Sequence, residues 1–120
     1  MKKVYIVEDD PKNMKLYKAI LKQFHEIEVF EEVEGDLGLE LIKSGSPDLI
    51  ILDIRLPKMT GIEICQELRK IERFKSIPIL AVTAYAMKGD EERILNAGFN
   101  EYITKPIRVL DFKEKLRQYL

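Results

Sequence analysis

Apolar positions along this chain change period again and again. Val4 to Val7 is a short β-branched and aromatic run, the signature of a strand, and it ends on three acids, Glu8, Asp9 and Asp10. Asp10-Pro11 has the form of a helix N-cap followed by proline at the first helical position. Met14, Tyr17, Ile20, Leu21 and Phe24 then recur at helical spacing. Ile27 to Val33 alternates imperfectly, with Ile27, Val29 and Phe30 inward, and its glutamates mark it as an edge strand. Gly35-Asp36 opens a second helix whose apolar face is Leu37, Leu41 and Ile42; Gly38 weakens it by about 1 kcal/mol relative to alanine. Ser44-Gly-Ser-Pro47 is a turn.

Leu49 to Leu52 is an unbroken apolar run closed by one acid, Asp53. A strand this apolar needs cover on both faces, which places it in the middle of a parallel sheet. Thr60 and Glu63 fit a capping box for a third helix, with Ile64, Cys65, Leu68 and Ile71 as its buried stripe. Ile77 to Val82 is another apolar strand, ending on Thr83. A fourth, highly charged helix is predicted over Met87 to Ala97, with Ile94 and Leu95 on its other face and Gly98 closing it. Glu101 to Thr104 is a fifth strand, followed by Lys105-Pro106; Val109, Phe112, Leu116 and Leu120 give a last helix its core face.

Five strands alternating with five helices predict an α/β fold: a doubly wound parallel sheet with helices on both faces. The order 2-1-3-4-5 is adopted from the flavodoxin-like class of such sheets. It sets the first and third strands about 5 Å apart, so Asp9 and Asp53 converge at the carboxyl edge. Ligands bind at that edge in open α/β sheets. The 120 residues suit one domain, 1–120, with no linker or internal repeat.

Composition narrows the function classes. Twenty basic and 21 acidic residues leave a net charge of -1, which gives no electrostatic case for a nucleic-acid partner. No apolar run reaches the ~18 residues of a membrane span. Met1-Lys-Lys leads straight into a strand without a signal-peptide pattern. A single cysteine, Cys65, excludes an internal disulfide and suits a reducing compartment, so the expectation is a soluble cytoplasmic protein.

The candidate chemistry lies at four strand ends: Glu8-Asp9, Asp53, Thr83 and Lys105. Singly each is ordinary, since acids after strands cap helices, as Asp10 does. Together at one edge they form a site. Clustered carboxylates repel and call for a cation. An all-oxygen set suits Mg²⁺, with Mn²⁺ as the alternative ion. Asp9, Asp53 and the main-chain carbonyl of Arg55 would hold it, with Glu8 acting through water. Asp53 is then a carboxylate nucleophile able to form an aspartyl phosphate. The metal and the Lys105 ammonium would neutralise the transferring group, and the Thr83 hydroxyl would donate to it. Ala84 is small enough to leave the approach open. Arg55 and Tyr85 each lie two residues after a site residue, placed to shield the phosphoryl group and tune its lifetime. His25, Cys65, Met14, Met59 and Met87 read as surface, core, packing and loop residues, and Glu31, Glu32 and Glu34 as a solvated edge.

The segments Ile6-Val-Glu-Asp9, Leu52-Asp-Ile-Arg-Leu-Pro57 with Gly61, Val82-Thr-Ala84 and Tyr102-Ile-Thr-Lys-Pro106 together resemble the receiver domain of two-component response regulators. The likeness runs from end to end. Thr83 to Arg93 and Asn13 to Leu16 are most similar to single-domain members. The resemblance implies that a histidine kinase or phosphotransfer protein donates phosphate from phosphohistidine to Asp53. It makes Glu8 and Asp9 the acidic pair, which often reads Asp-Asp in the family, and Thr83 and Lys105 the partner residues. It also implies a cis bond before Pro106. On phosphorylation Thr83 would move toward the phosphoryl group and Tyr102 would turn inward. The surface of the fourth helix, fifth strand and fifth helix, with Met87 and Tyr102, would then dock a downstream protein. With no output domain expected, the chain would act by binding other proteins, and would be no enzyme beyond its own phosphorylation and dephosphorylation. The alternatives are a receiver module of a hybrid kinase or phosphorelay intermediate, an aspartyl-phosphate hydrolase and an FMN carrier. The hydrolase lacks a second acid where Arg55 stands. The flavin carrier would have to bind phosphate at the repelling loop Glu8-Asp9-Asp10, and it lacks tryptophan for stacking.

Overall fold

The computed structural model describes residues 1–84 and 89–120. Its strands are β1 (Lys2–Val7), β2 (Ile27–Glu32), β3 (Leu49–Asp53), β4 (Ile79–Thr83) and β5 (Glu101–Thr104). Its helices are α1 (Pro11–Leu21), α2 (Gly35–Lys43), α3 (Gly61–Arg69), α4 (Asp90–Asn96) and α5 (Val109–Arg117). The sheet runs β2-β1-β3-β4-β5, the order expected of the class, with every neighbouring pair parallel.

Pleating divides the core in two, because successive side chains leave a strand on opposite faces. Tyr5, Val7, Ile50, Leu52 and Ala81 face α2 and α3, where Leu39, Ile42, Ile64, Cys65 and Leu68 meet them. Val4, Ile6, Leu49, Ile51, Leu80 and Val82 face α1 and α5, where Tyr17, Ile20, Leu21, Phe112 and Leu116 meet them. All five residues of β3 are buried, in keeping with its unbroken apolar run.

The local signals at the helix starts are used as written. Asp10 caps α1 by accepting from the Lys12 N–H, and Thr60 and Glu63 form the reciprocal capping box of α3. Gly98 follows α4 with φ 114°, a left-handed conformation that glycine adopts without penalty. The peptide before Pro106 is cis.

Three side chains depart from the predicted faces. Leu37, Leu95 and Val109 are each roughly half exposed instead of buried. Helical spacing alone places the apolar stripe only to within one position, and the neighbouring element chooses. In α2 that element is β1. Gly38 packs so closely on Val7 that a Cβ would come within 2.6 Å of its side chain. The helix therefore turns Gly38, Leu39 and Ile42 inward and Leu37 outward. The predicted helix weakness is thus a packing requirement. The part of the fourth predicted helix from Met87 to Lys88 lies outside the described residues.

Arg69, which no sequence signal singled out, clamps the edge of the molecule. Its guanidinium donates to the carbonyls of Gly98 (2.9 Å), Phe74 (2.6 Å), Lys75 (3.3 Å) and Ile77 (2.8 Å) and to Asn100 Oδ1 (2.9 Å). Asn100 Oδ1 in turn accepts from the Ile79 N–H at the start of β4. Removing the clamp leaves several part-buried acceptors without their donor. Arg69→Ala should lose about 2–4 kcal/mol of stability. In a thermal melt that is a fall of roughly 10 °C or more, and a change within experimental scatter would show the carbonyls to be solvated instead.

Candidate functional site

Parallel pairing brings the chemistry to one edge. Val7 is level with Leu52, Asp53 with Val82, and Thr83 with Thr104. Continuing each strand by a residue puts Glu8 beside Asp53, and Lys105 beyond β5 on the same edge. The Lys105 N–H donates to the Thr83 carbonyl at 2.8 Å, which ties those two strand ends together.

The predicted acidic cluster is assembled. Glu8, Asp9 and Asp53 each present a carboxylate oxygen, and these atoms all lie within 4.8 Å of one another. Glu8 is 1% exposed and Asp53 5%, whereas Asp9 is exposed. Two buried acids flanked by an open one form a cleft closed at its base and accessible from solvent. The donor set is all oxygen and anionic, so it fits a hard divalent cation.

Asp53 is held at both oxygens. Oδ1 accepts from the Arg55 N–H at 3.0 Å, and Oδ2 is 2.8 Å from Lys105 Nζ. Lys105 also reaches Glu8, at 3.3 Å to Oε1 and 3.4 Å to Oε2. One ammonium therefore bridges two buried carboxylates. Burial works against its charge, but the hydrogen bond and charge of Asp53, with those of Glu8, outweigh it and hold the Lys105 pKa above its ordinary value. Burial pushes the Glu8 carboxyl up to about 7, with neighbouring Asp53 adding to the rise; hydrogen bonds from Tyr17 and the Asp10 N–H oppose it.

Sequence reading missed Tyr17. It counted there only as part of an apolar helix face. Its hydroxyl donates to Glu8 Oε1 at 2.7 Å, and its ring stacks on Phe112 at 5.4 Å. The available signal was the residue type: a core-facing tyrosine, unlike phenylalanine or leucine, needs a polar partner.

The remaining predicted residues are placed as follows. Thr83 is buried at the end of β4, 3% exposed. The Arg55 side chain is exposed next to the cluster. Tyr102 is half-buried on β5, its hydroxyl hydrogen-bonded to Glu91 of α4, which raises its pKa. Tyr85 and Met87 lie outside the described residues. Gly61 meets a steric need at the same edge: a Cβ there would sit 2.2 Å from the Asp53 carbonyl oxygen, so α3 can start this close to the acid only with glycine. His25 is exposed and Cys65 fully buried, as expected. Among the described residues no helix is long and apolar enough to cross a membrane.

Comparisons with known proteins converge. A family model described as the response regulator receiver domain matches residues 4–117. The polar-differentiation response regulator DivK of Brucella ovis is 44% identical over 122 residues, covering 99% of this chain and 96% of that protein. Among solved structures, the receiver domain of sensor histidine kinase PA1611 from Pseudomonas aeruginosa has a TM-score of 0.87 at 30% identity, with 98% of this chain and 96% of that one covered. That structure has a magnesium ion coordinated in its active-site cleft. The receiver domain of Ssk1 from Saccharomyces cerevisiae, in a co-crystal with the histidine phosphotransfer protein Ypd1, has a TM-score of 0.87 at 27% identity, covering 98% of this chain and 88% of that one.

Proposed function

The chain belongs to the response regulator receiver family, and on that footing we propose that Asp53 accepts a phosphoryl group from the phosphohistidine of a histidine kinase or phosphotransfer protein. One observation carries the reading. Asp53 is a buried carboxylate at the end of the central strand, 2.8 Å from an ammonium and clustered with two further acids.

Asp9, Asp53 and the main-chain carbonyl of Arg55 would hold Mg²⁺, or Mn²⁺ in its place, with Glu8 acting through water. The magnesium-bound cleft of the PA1611 receiver supports this. A divalent ion there supplies positive charge against the phosphoryl oxygens. The chain's own residues do the rest. An Asp53 carboxylate oxygen forms a bond to phosphorus as the bond to the donor's imidazole nitrogen breaks; that nitrogen keeps the electron pair and takes up a proton. Lys105 neutralises charge on the transferring group, and the Thr83 hydroxyl donates to one of its oxygens. The chain is then substrate and catalyst of its own modification, and of its own dephosphorylation, without further enzymatic turnover.

The output is a shift between two states. Phosphate biases it only through contacts that differ between them. Thr83 and Tyr102 are the switch residues, and α4, β5 and α5 form the face that a downstream protein reads. The Ypd1–Ssk1 complex supports a phosphotransfer protein as donor. Such donors and a single free cysteine suit a cytoplasmic location.

The test is incubation with acetyl phosphate or phosphoramidate and Mg²⁺, followed by intact mass. One added phosphoryl group, stable in acid, labile in base and absent after chelation, is expected. An unmodified protein under these conditions overturns the reading.

Arg55 would shield the adduct from water. Arg55→Ala should speed the decay of phospho-Asp53, and a change of about 1 kcal/mol in that barrier is roughly fivefold in rate. Decay followed by loss of the acid-stable adduct checks it; an unaltered half-life removes the shielding role. Tyr85 is proposed to act likewise.

A further inference from the structure

We propose that Tyr17 is the positioning residue of the acidic site: its hydroxyl fixes the orientation of the Glu8 carboxyl group, so that the cluster can take a divalent cation. The inference rests on the proposed metal-assisted phosphoryl acceptance at Asp53 and adds a residue to it.

A carboxylate that is 1% exposed must find its donors inside the protein. Glu8 has three: the Tyr17 hydroxyl at 2.7 Å, the Asp10 N–H at 3.1 Å, and Lys105 Nζ at 3.3 and 3.4 Å. The ammonium is not Glu8's own. It is closer to Asp53, at 2.8 Å, and in the proposed reaction it serves the incoming phosphoryl group. Tyr17 and the Asp10 N–H are therefore the donors that stay with Glu8 throughout. Of the two, the tyrosine hydroxyl is the nearer.

The hydroxyl is also rigidly placed. The Tyr17 ring is fully buried and stacks on Phe112 of α5 with an interplanar angle of 19°. A phenol keeps its proton at neutral pH, so the hydroxyl is a donor to the buried acid. α1 supplies the ring, α5 braces it, and β1 supplies the acid. Three elements thus meet at one hydrogen bond, which packing alone does not require. A phenylalanine would fill the same space.

Tyr17→Phe keeps the ring and removes only the donor. The experiment is calorimetric titration with Mg²⁺ alone of wild type, Tyr17→Phe, Glu8→Gln and the double variant, with a thermal melt of each. A hydrogen bond to a charged group predicts about tenfold weaker Mg²⁺ binding for Tyr17→Phe. In the Glu8→Gln background the same substitution should change affinity by less than about twofold, since the charge it serves is gone. The Mg²⁺ concentration for half-maximal phosphorylation by phosphoramidate should rise in parallel, with the rate at saturating Mg²⁺ unchanged. A purely structural role would lower the melting temperature and leave Mg²⁺ affinity alone.

Wild-type affinity in Tyr17→Phe overturns the proposal, as does an equal loss in both backgrounds. A further loss in the double variant relative to Glu8→Gln overturns the proposal even where Tyr17→Phe alone does not fold. A wild type that neither binds Mg²⁺ nor takes up phosphate overturns the function itself, a result distinct from either.

Discussion

Asp53→Asn should take up no phosphoryl group from acetyl phosphate or phosphoramidate, at any Mg²⁺ concentration. The amide has nearly the volume of the acid, so a strand end buried to 5% exposure keeps its packing. Its oxygen can still accept from Lys105 or from the Arg55 N–H, the two donors that hold Asp53. What vanishes is the anionic nucleophile. Intact mass should show the unmodified chain, while a thermal melt shows a folded protein. Glu8 and Asp9 do not substitute, because one is enclosed by three donors and the other stands at the open side of the cleft. A phosphoryl adduct on the variant equal to that on the wild type would place the acceptor elsewhere and end the assignment.

The second large effect is expected at Lys105. Lys105→Ala removes the only cation among the described residues that is paired with both Asp53 and Glu8. Removing one preorganised donor to developing charge typically costs about 10²–10³ in rate, and phosphoryl uptake should fall by that order. Mg²⁺ binding should move the opposite way. An ammonium 2.8 Å from Asp53 opposes a second positive charge at the same carboxylate, so its loss tightens binding. Slower uptake with stronger Mg²⁺ binding separates a catalytic lysine from one that merely supports the fold. If both fall together, the substitution has damaged the cluster and the role assigned to Lys105 is withdrawn. Glu8 and Asp53 lose their shared counter-charge in this variant, so the comparison belongs at saturating Mg²⁺.

Much of this site was legible because its information is local. An apolar run that ends on an acid, or on threonine, or on Lys-Pro can be read without knowing what lies beside it. Four such endings then identify the edge. The register of the sheet was not legible. It makes Val7 level with Leu52, and so sets Glu8 against Asp53. Tyr17 and Arg69 were passed over for the same reason. Each sits among residues of ordinary helical pattern, and each acts on partners contributed by other elements. Tyr17 reaches Glu8 across nine positions, and Arg69 reaches Gly98 across 29. The outward turn of Leu37 follows this logic too, since Val7, a residue of β1, decides which face of α2 packs.

The amino-acid order by itself determined the alternation of strands and helices, the chemistry available at each strand end, and hence the receiver family. Residue type and period act within a few positions of the chain, so folding is not needed to see them. The tertiary structure alone decided which oxygen meets which donor: Lys105 on both Asp53 and Glu8, the Tyr17 hydroxyl on Glu8, Arg69 across the carbonyls. Those contacts depend on burial and register between distant segments. A buried carboxylate takes whatever donor the packed neighbours bring within about 3 Å.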